Sequence, residues 1–220
     1  MVMKKIYLLL SLISANQVFA HGWQVLPQSR TQYLVVSNRE SEIAYNPQQV
    51  SSNLKFGWTM KELSTNPEAA FSKYHAAQAN NICSNTLPYQ ALDQAVPLDK
   101  FVQTSYGADL NFEWILTAKH SPSSYFVFLT NYTKSNYNPS PSWNDLEFIC
   151  EVDNVGVNSP DKFKCKMPPA PSNVKDLSEK QVLVTVWQRN DPAGENFISC
   201  SDLMLSQYHP RIKTHGGAHK

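Results

Sequence analysis

The apolar positions divide the chain into a short leader, a polar middle and a strand-rich second half. Residues 6–13 form the first apolar run. Lys4 and Lys5 precede it, and Val18, Phe19 and Ala20 follow. A basic start, an apolar centre and a small residue at the end are the parts of a secretion signal. The run is shorter than the ~20 apolar residues that span a bilayer, and no other stretch reaches that length. Residues 25–36 read as extended, interrupted by Pro27. From about 37 to 102, clusters of Asn, Gln, Ser and Pro surround one helical stretch, 60–79, that includes Leu63, Phe71 and Tyr74. A loop region this long in a compact domain suits a binding role.

Beyond it the period shortens. Residues 110–118 alternate in part as a strand does, and 125–130, 146–152, 161–167, 182–187 and 203–208 are further short strands. Asn131–Asn144 is turn-rich, and Pro168 to Pro171 breaks the pattern. Short strands between turns predict an all-β fold. It is expected to be an immunoglobulin/fibronectin type III-like antiparallel β-sandwich, with a long, partly helical loop region between early strands. The length fits one domain, 21–208, behind a signal peptide, 1–20, and ahead of a polar, flexible tail, 209–220.

Charge narrows the partners. The chain has 19 Lys and Arg against 18 Asp and Glu, and removal of Lys4 and Lys5 with the leader leaves 17 against 18. That balance speaks against nucleic acid or a membrane surface as partner. The four cysteines, Cys83, Cys150, Cys165 and Cys200, form no C-x-x-C pair, so zinc is disfavoured and two disulfides are expected in an exported protein. Three pairings are possible. A local Cys150–Cys165 loop with a long Cys83–Cys200 tie is the favoured one.

Cleavage after Ala20 would expose His21 as the first residue, leaving a secreted chain of 200 residues. An N-terminal histidine carries an α-amine and a ring nitrogen on one residue. These groups ordinarily titrate near ~7.7–8.0 and ~6.5, so both can give up a proton to a metal near neutrality. Two nitrogens from one residue and a third from another ring suit copper. His120 is the best third ligand, because it ends a strand and opens the turn Ser121 to Ser124. One histidine at a strand end is ordinarily a surface or hydrogen-bonded residue; the histidine at the cleavage point is what changes its weight. His75 reads as a helix-surface residue, and His209, His215 and His219 fall in or near the tail.

With these residues placed, the chain resembles the lytic polysaccharide monooxygenases of auxiliary activity family ten, the chitin-binding type-4 or fusolin-like domains. His21, Gly22, Pro27, Ser29 and Arg30 are similar to an H-G-x-x-x-x-P-x-S-R opening. Tyr45 to Val50 resembles a Y-E-P-Q-S-V segment of chitin-active members. Thr117 to His120 matches T-A-x-H. Trp143 to Glu147 and Trp187 to Asp191 resemble further family segments, and Glu195 to Asp202 resembles the E-N-F-x-S-C-S-D of a subgroup with cellulose-active members. Asn46 and Ser51 depart from the chitin-active pattern at its two glutamates.

The resemblance implies one mononuclear copper ion held by His21 and His120, with Phe197 on its axial side and Ala118 limiting the opposite approach. Glu195 and Arg189 would stand around it, the carboxylate positioning or protonating a bound oxygen species and the guanidinium orienting it. The resemblance also implies a Cys83–Cys200 bond. It implies a monomer that draws on an external electron donor and oxidatively cleaves β-1,4 bonds in insoluble polysaccharide, chitin first and cellulose second. Tyr45, Phe56 and Tyr74 are candidates to stack on sugar rings, while Trp23, Trp58, Trp114 and Trp187 read as core. Two other classes stay open: a secreted chitin-binding or adhesion protein without turnover, and a copper carrier.

Overall fold

The computed structural model describes residues 21–37, 82–84, 90–130, 137–172, 179–190 and 196–207. The helical stretch at 60–79, the first part of the turn-rich segment, 131–136, and the tail lie outside them. Among the described residues are eight strands: β1 (His21–Leu26), β2 (Val102–Ser105), β3 (Asp109–Ala118), β4 (Ser123–Thr130), β5 (Leu146–Val155), β6 (Lys162–Lys166), β7 (Glu179–Arg189) and β8 (Asn196–Ser206). They form a three-stranded sheet, β1-β3-β6, and a five-stranded sheet, β2-β8-β7-β4-β5. The fold is the β-sandwich expected from the strand pattern.

The large sheet is covered on both faces, which is why its inner strands read as nearly continuous apolar runs. Along β4, Tyr125, Val127 and Leu129 turn to the small sheet, where Phe112, Trp114, Cys165 and Met167 meet them. Phe126 and Phe128 turn the other way, to Tyr33, Leu34, Leu92 and Trp143. Trp23, Trp114 and Trp187 are all buried; Trp58 is outside the described residues. On β6 the exposed Lys162, Lys164 and Lys166 alternate with Phe163 and Cys165. Lysines of this kind keep the edge of a sheet from pairing with another chain.

Three expectations are corrected. Residues 25–36 are not one extended segment: β1 stops at Leu26, and Arg30–Ser37 is a helix, α1. The β-branched and aromatic run Tyr33 to Val36 favours a strand, but Ser29 overrides it. Its hydroxyl accepts the Gln32 N–H at 3.0 Å and its carbonyl accepts the Tyr33 N–H at 2.8 Å, so it caps the first turn. The last strand begins at Asn196, not at 203, and ends at Ser206. The sheet is not wholly antiparallel, because β2 runs parallel to β8.

Both disulfides are in place. Cys150–Cys165 joins β5 to β6, the neighbouring edges of the two sheets, with Cα atoms 6.1 Å apart. Cys83–Cys200, with Cα atoms 5.5 Å apart, ties the segment at 82–84 to the face of β8 that looks away from the small sheet.

On that same face Asp202 meets Arg30 of α1. Arg30 Nη2 and Nε donate to the two carboxylate oxygens at 2.6 and 3.0 Å. Its Nη1 donates to the carbonyls of Leu92 and Pro139, at 2.8 and 2.6 Å. Asp202 also accepts from the Val96 N–H and the Tyr137 hydroxyl, at 2.9 and 2.8 Å. Burial, then the adjacent Asp202 charge, pushes the Tyr137 phenol above its ordinary range, so it stays a donor.

Two predictions follow from this packing. Asp202→Ala leaves a guanidinium buried without its counter-charge and is expected to lower stability by about 3–5 kcal/mol, read by denaturant unfolding of the disulfide-intact protein. The two disulfides are expected to differ. Replacing both members of the Cys83–Cys200 pair, 117 residues apart, should cost about 4–5 kcal/mol, against about 3 for the Cys150–Cys165 pair, 15 apart. Equal losses would contradict the loop-entropy account.

Candidate functional site

One end of the sandwich gathers the start of β1, the end of β3, the start of β4, the end of β7 and the start of β8. The backbone of His21 opposes Ala118, the last residue of β3. His120 follows two residues later, about 7 Å of extended chain. Ser123, at the start of β4, opposes Arg189, and Gln188 opposes Asn196. Segments more than 150 residues apart in sequence therefore end at one rim.

Gly22 makes the entry of β1 possible. A Cβ here would stand 2.4 Å from Leu116 Cδ2 and 2.7 Å from the Ile115 carbonyl oxygen. The register between β1 and β3 shifts at this point, between His21 and Gly22. Further along, Gln24 holds β1 to β8 across the sandwich: its N–H donates to Ser199 Oγ at 3.2 Å and its Nε2 to Ser201 Oγ at 2.9 Å. Ser29 Oγ returns to the Gln24 carbonyl at 2.6 Å.

His120 is half-buried. Its ring lies over Trp187, with centroids 6.4 Å apart and planes at 44°, and its Nε2 is shielded from solvent. Trp187 stacks in turn on Phe197, at 4.9 Å and 30°. Both are wholly buried, in one cluster with Trp114, Tyr125 and Val155. Burial, then the charge of Asp161, raises the Tyr125 phenol far above its normal value, so it is neutral here. Lys119 reaches sideways from the same turn, to Asp161 Oδ1 at 3.0 Å and the Ser159 carbonyl at 3.1 Å. The pair is partly exposed and contributes little to stability.

The described candidates thus fall together: His21 by its backbone, Ala118, His120, Arg189 and Phe197. Glu195 lies outside the described residues, immediately before Asn196, as do Tyr45, Phe56 and Tyr74. Trp187 reads as core from the sequence and is wholly buried, and it is also the aromatic that meets His120. That second role is a long-range contact between β7 and the turn after β3, which no local pattern shows.

Among the described residues no group of three or more His, Cys, Asp or Glu side chains could hold a metal. Copper nevertheless fits the donors present. One imidazole stands at the rim beside a strand that opens with a second histidine, whose amine could serve as a ligand only once the Ala20–His21 bond were cut.

The sandwich and its histidine-bearing rim define a class of β-sandwich domain, and comparison with known proteins gives the family. The family model described as "Lytic polysaccharide mono-oxygenase, cellulose-degrading" matches residues 21–203, and the chain belongs to that family. The match starts at His21. Spindolin of Heliothis armigera entomopoxvirus is 31% identical over 129 residues, 53% of this chain but only 34% of spindolin. The matched stretch is thus about a third of that relative. Among solved structures, an AA10 lytic polysaccharide monooxygenase from Streptomyces lividans superposes with a TM-score of 0.60 at 23% identity, over 84% of this chain and 99% of that one. A Bacillus amyloliquefaciens CBM33 protein in complex with Cu(I) gives 0.57 at 21%, over 84% and 100%. At these identities the likeness is one of fold.

Gly22→Ala tests the geometry of the rim. The added methyl is expected to cost about 1–3 kcal/mol and to displace β1 from β3. The check is a thermal melt together with amide exchange along Leu116 to Ala118; unchanged protection there would contradict the close approach.

Proposed function

We propose that the mature chain, secreted and beginning at His21, is a copper-dependent lytic polysaccharide monooxygenase that cleaves β-1,4 bonds in crystalline polysaccharide, chitin first and cellulose second. One observation carries this reading: β1 opens at His21 directly opposite Ala118, two residues before His120. An amine and two imidazoles could then reach one point, and membership of a lytic polysaccharide mono-oxygenase family supports a redox role for it. The chitin preference is supported by the Tyr45 segment alone; the family description and the Glu195 segment favour cellulose.

What copper would supply here is one-electron redox chemistry towards oxygen or peroxide, with electrons from an external donor. The chain's own residues do the rest. His21 would hold copper through its amine and ring, and His120 through its ring, fixed in the turn after β3. Phe197, stacked on Trp187, would give that site an apolar wall, and Ala118 would add only a methyl. Glu195 would hold a proton for the oxygen substrate, and Arg189, at the end of β7, would orient that carboxylate. Tyr45, Phe56 and Tyr74 extend the contact surface, stacking on sugar rings. The protein works as a monomer on an insoluble polysaccharide, a different task from that of a hydrolase, whose paired carboxylates flank the bond to be cut.

The deciding experiment uses protein whose first residue is confirmed as His21 by mass spectrometry. With Cu(II), a reductant and chitin or cellulose, oxidised oligosaccharides are expected. His120→Ala, or one extra residue ahead of His21, is expected to abolish them and to weaken copper binding at least 100-fold (~3 kcal/mol). Polymer binding retained in His120→Ala, with no oxidised product from the unaltered protein, would instead identify a non-catalytic adhesion protein. Copper release to a partner without polymer affinity would identify a carrier.

A further inference from the structure

The turn that carries His120 is fastened by bonds that the proposed chemistry does not use. Asn190, the residue after β7, reaches it twice. Its backbone N–H donates to the Pro122 carbonyl at 2.9 Å, and its side-chain Nδ2 donates to Ser124 Oγ at 2.7 Å. Ser124 is buried and in turn donates to Asp153 Oδ1 of β5 at 2.6 Å. Beside it, Ser123 Oγ donates to the Val155 carbonyl at 3.4 Å. The turn from His120 to Ser124 is therefore held against β5 on one side and the end of β7 on the other. Asn190 is also the first residue of the connection that leads through Glu195 to β8.

We propose that Asn190 is a positioning residue for His120: acting through Ser124 and Pro122, it fixes the turn and so the angle at which the ring meets the metal. The inference rests on the copper reading above. The chemistry of the contact selects an amide. Ser124 commits its proton to the Asp153 carboxylate, so its oxygen can only accept, and the group at 190 must donate. Alanine loses that donor. Aspartate loses it too and adds a negative charge beside Asp153. Asn190 itself is exposed, so its loss should barely affect folding. Residues that orient metal ligands from behind typically alter metal affinity by ~10–100-fold, and one that acts through a turn should fall at or below the lower end.

The test compares the unaltered protein with Asn190→Ala, Asn190→Asp, Ser124→Ala and the Asn190→Ala/Ser124→Ala double variant, all confirmed to start at His21. Cu(II) alone is the probe, read by titration calorimetry and by the electron paramagnetic resonance spectrum without substrate, beside the melting temperature. Each single variant is expected to bind Cu(II) about 3–10-fold more weakly and to show an altered copper hyperfine splitting. The aspartate should be at least as affected as the alanine, and the double variant no weaker than Ser124→Ala. Should Asn190→Ala fail to be secreted, Asn190→Leu, of similar size and without a donor, carries the same expectation. A tight-binding parent with Asn190 variants superimposable on it in isotherm and spectrum overturns the proposal, as does a fall in melting temperature alone. A parent that binds no Cu(II) overturns the copper reading, and this inference with it.

Discussion

A guanidinium and a carboxylate buried together hold this molecule in register. Removing both charges from water is costly, and their attraction compensates only when every remaining donor and acceptor is met. Arg30 and Asp202 meet that condition through each other and through backbone groups at Leu92, Val96 and Pro139. No other register of β8 against α1 would satisfy them. Once that face of β8 is fixed, the alternation of the strand decides the rest. Ile198 and Cys200 share the face of Asp202, so Cys200 looks towards Cys83. Ser199 and Ser201 take the opposite face, where Gln24 finds them.

The candidate site depends on that chain of consequences. Gln24 pins β1 to β8, Gly22 lets the strand pass close to Leu116, and His21 arrives beside Ala118. From the other direction β7 pairs with both β4 and β8, so Arg189 comes to Ser123 and Trp187 comes to Phe197. The rim is a place where strand ends converge. Its polar groups are displayed because the ladder stops there, and they are held because β4, β7 and β8 behind them are buried along nearly their whole length.

The strands of the second half were legible because alternation and turn residues are local signals. Residues 110–118 show this well, matching β3 to within a residue. The helix α1 was misread because Tyr33 to Val36 has β-forming side chains. The available counter-signal was Ser29 with Gln32, a cap followed three residues later by an amide. The parallel pairing of β2 could not be read: Val102–Ser105 is four residues long, and its partner lies a hundred positions away. The two histidines are singled out by their places in the sequence, one after the expected leader and one at a strand end, and the structure brings the backbone of His21 opposite Ala118, two residues before His120. Trp187 and Asn190 are not singled out in that way, since their value lies in what opposes them.

The amino-acid order by itself determined the sandwich class, the favoured cysteine pairing and the family motifs. Each is a matter of spacing along one line, or of a residue type that only certain chemistry requires. Tertiary structure decided which strands neighbour one another, that α1 exists, and that Arg30 reaches Asp202 across 172 residues. It decided too that His120 rests on Trp187 in a turn clipped by Asn190. The physical reason is that these contacts are long-range. They arise when buried charges and apolar faces find the one arrangement that satisfies them all at once, and no local pattern encodes that arrangement.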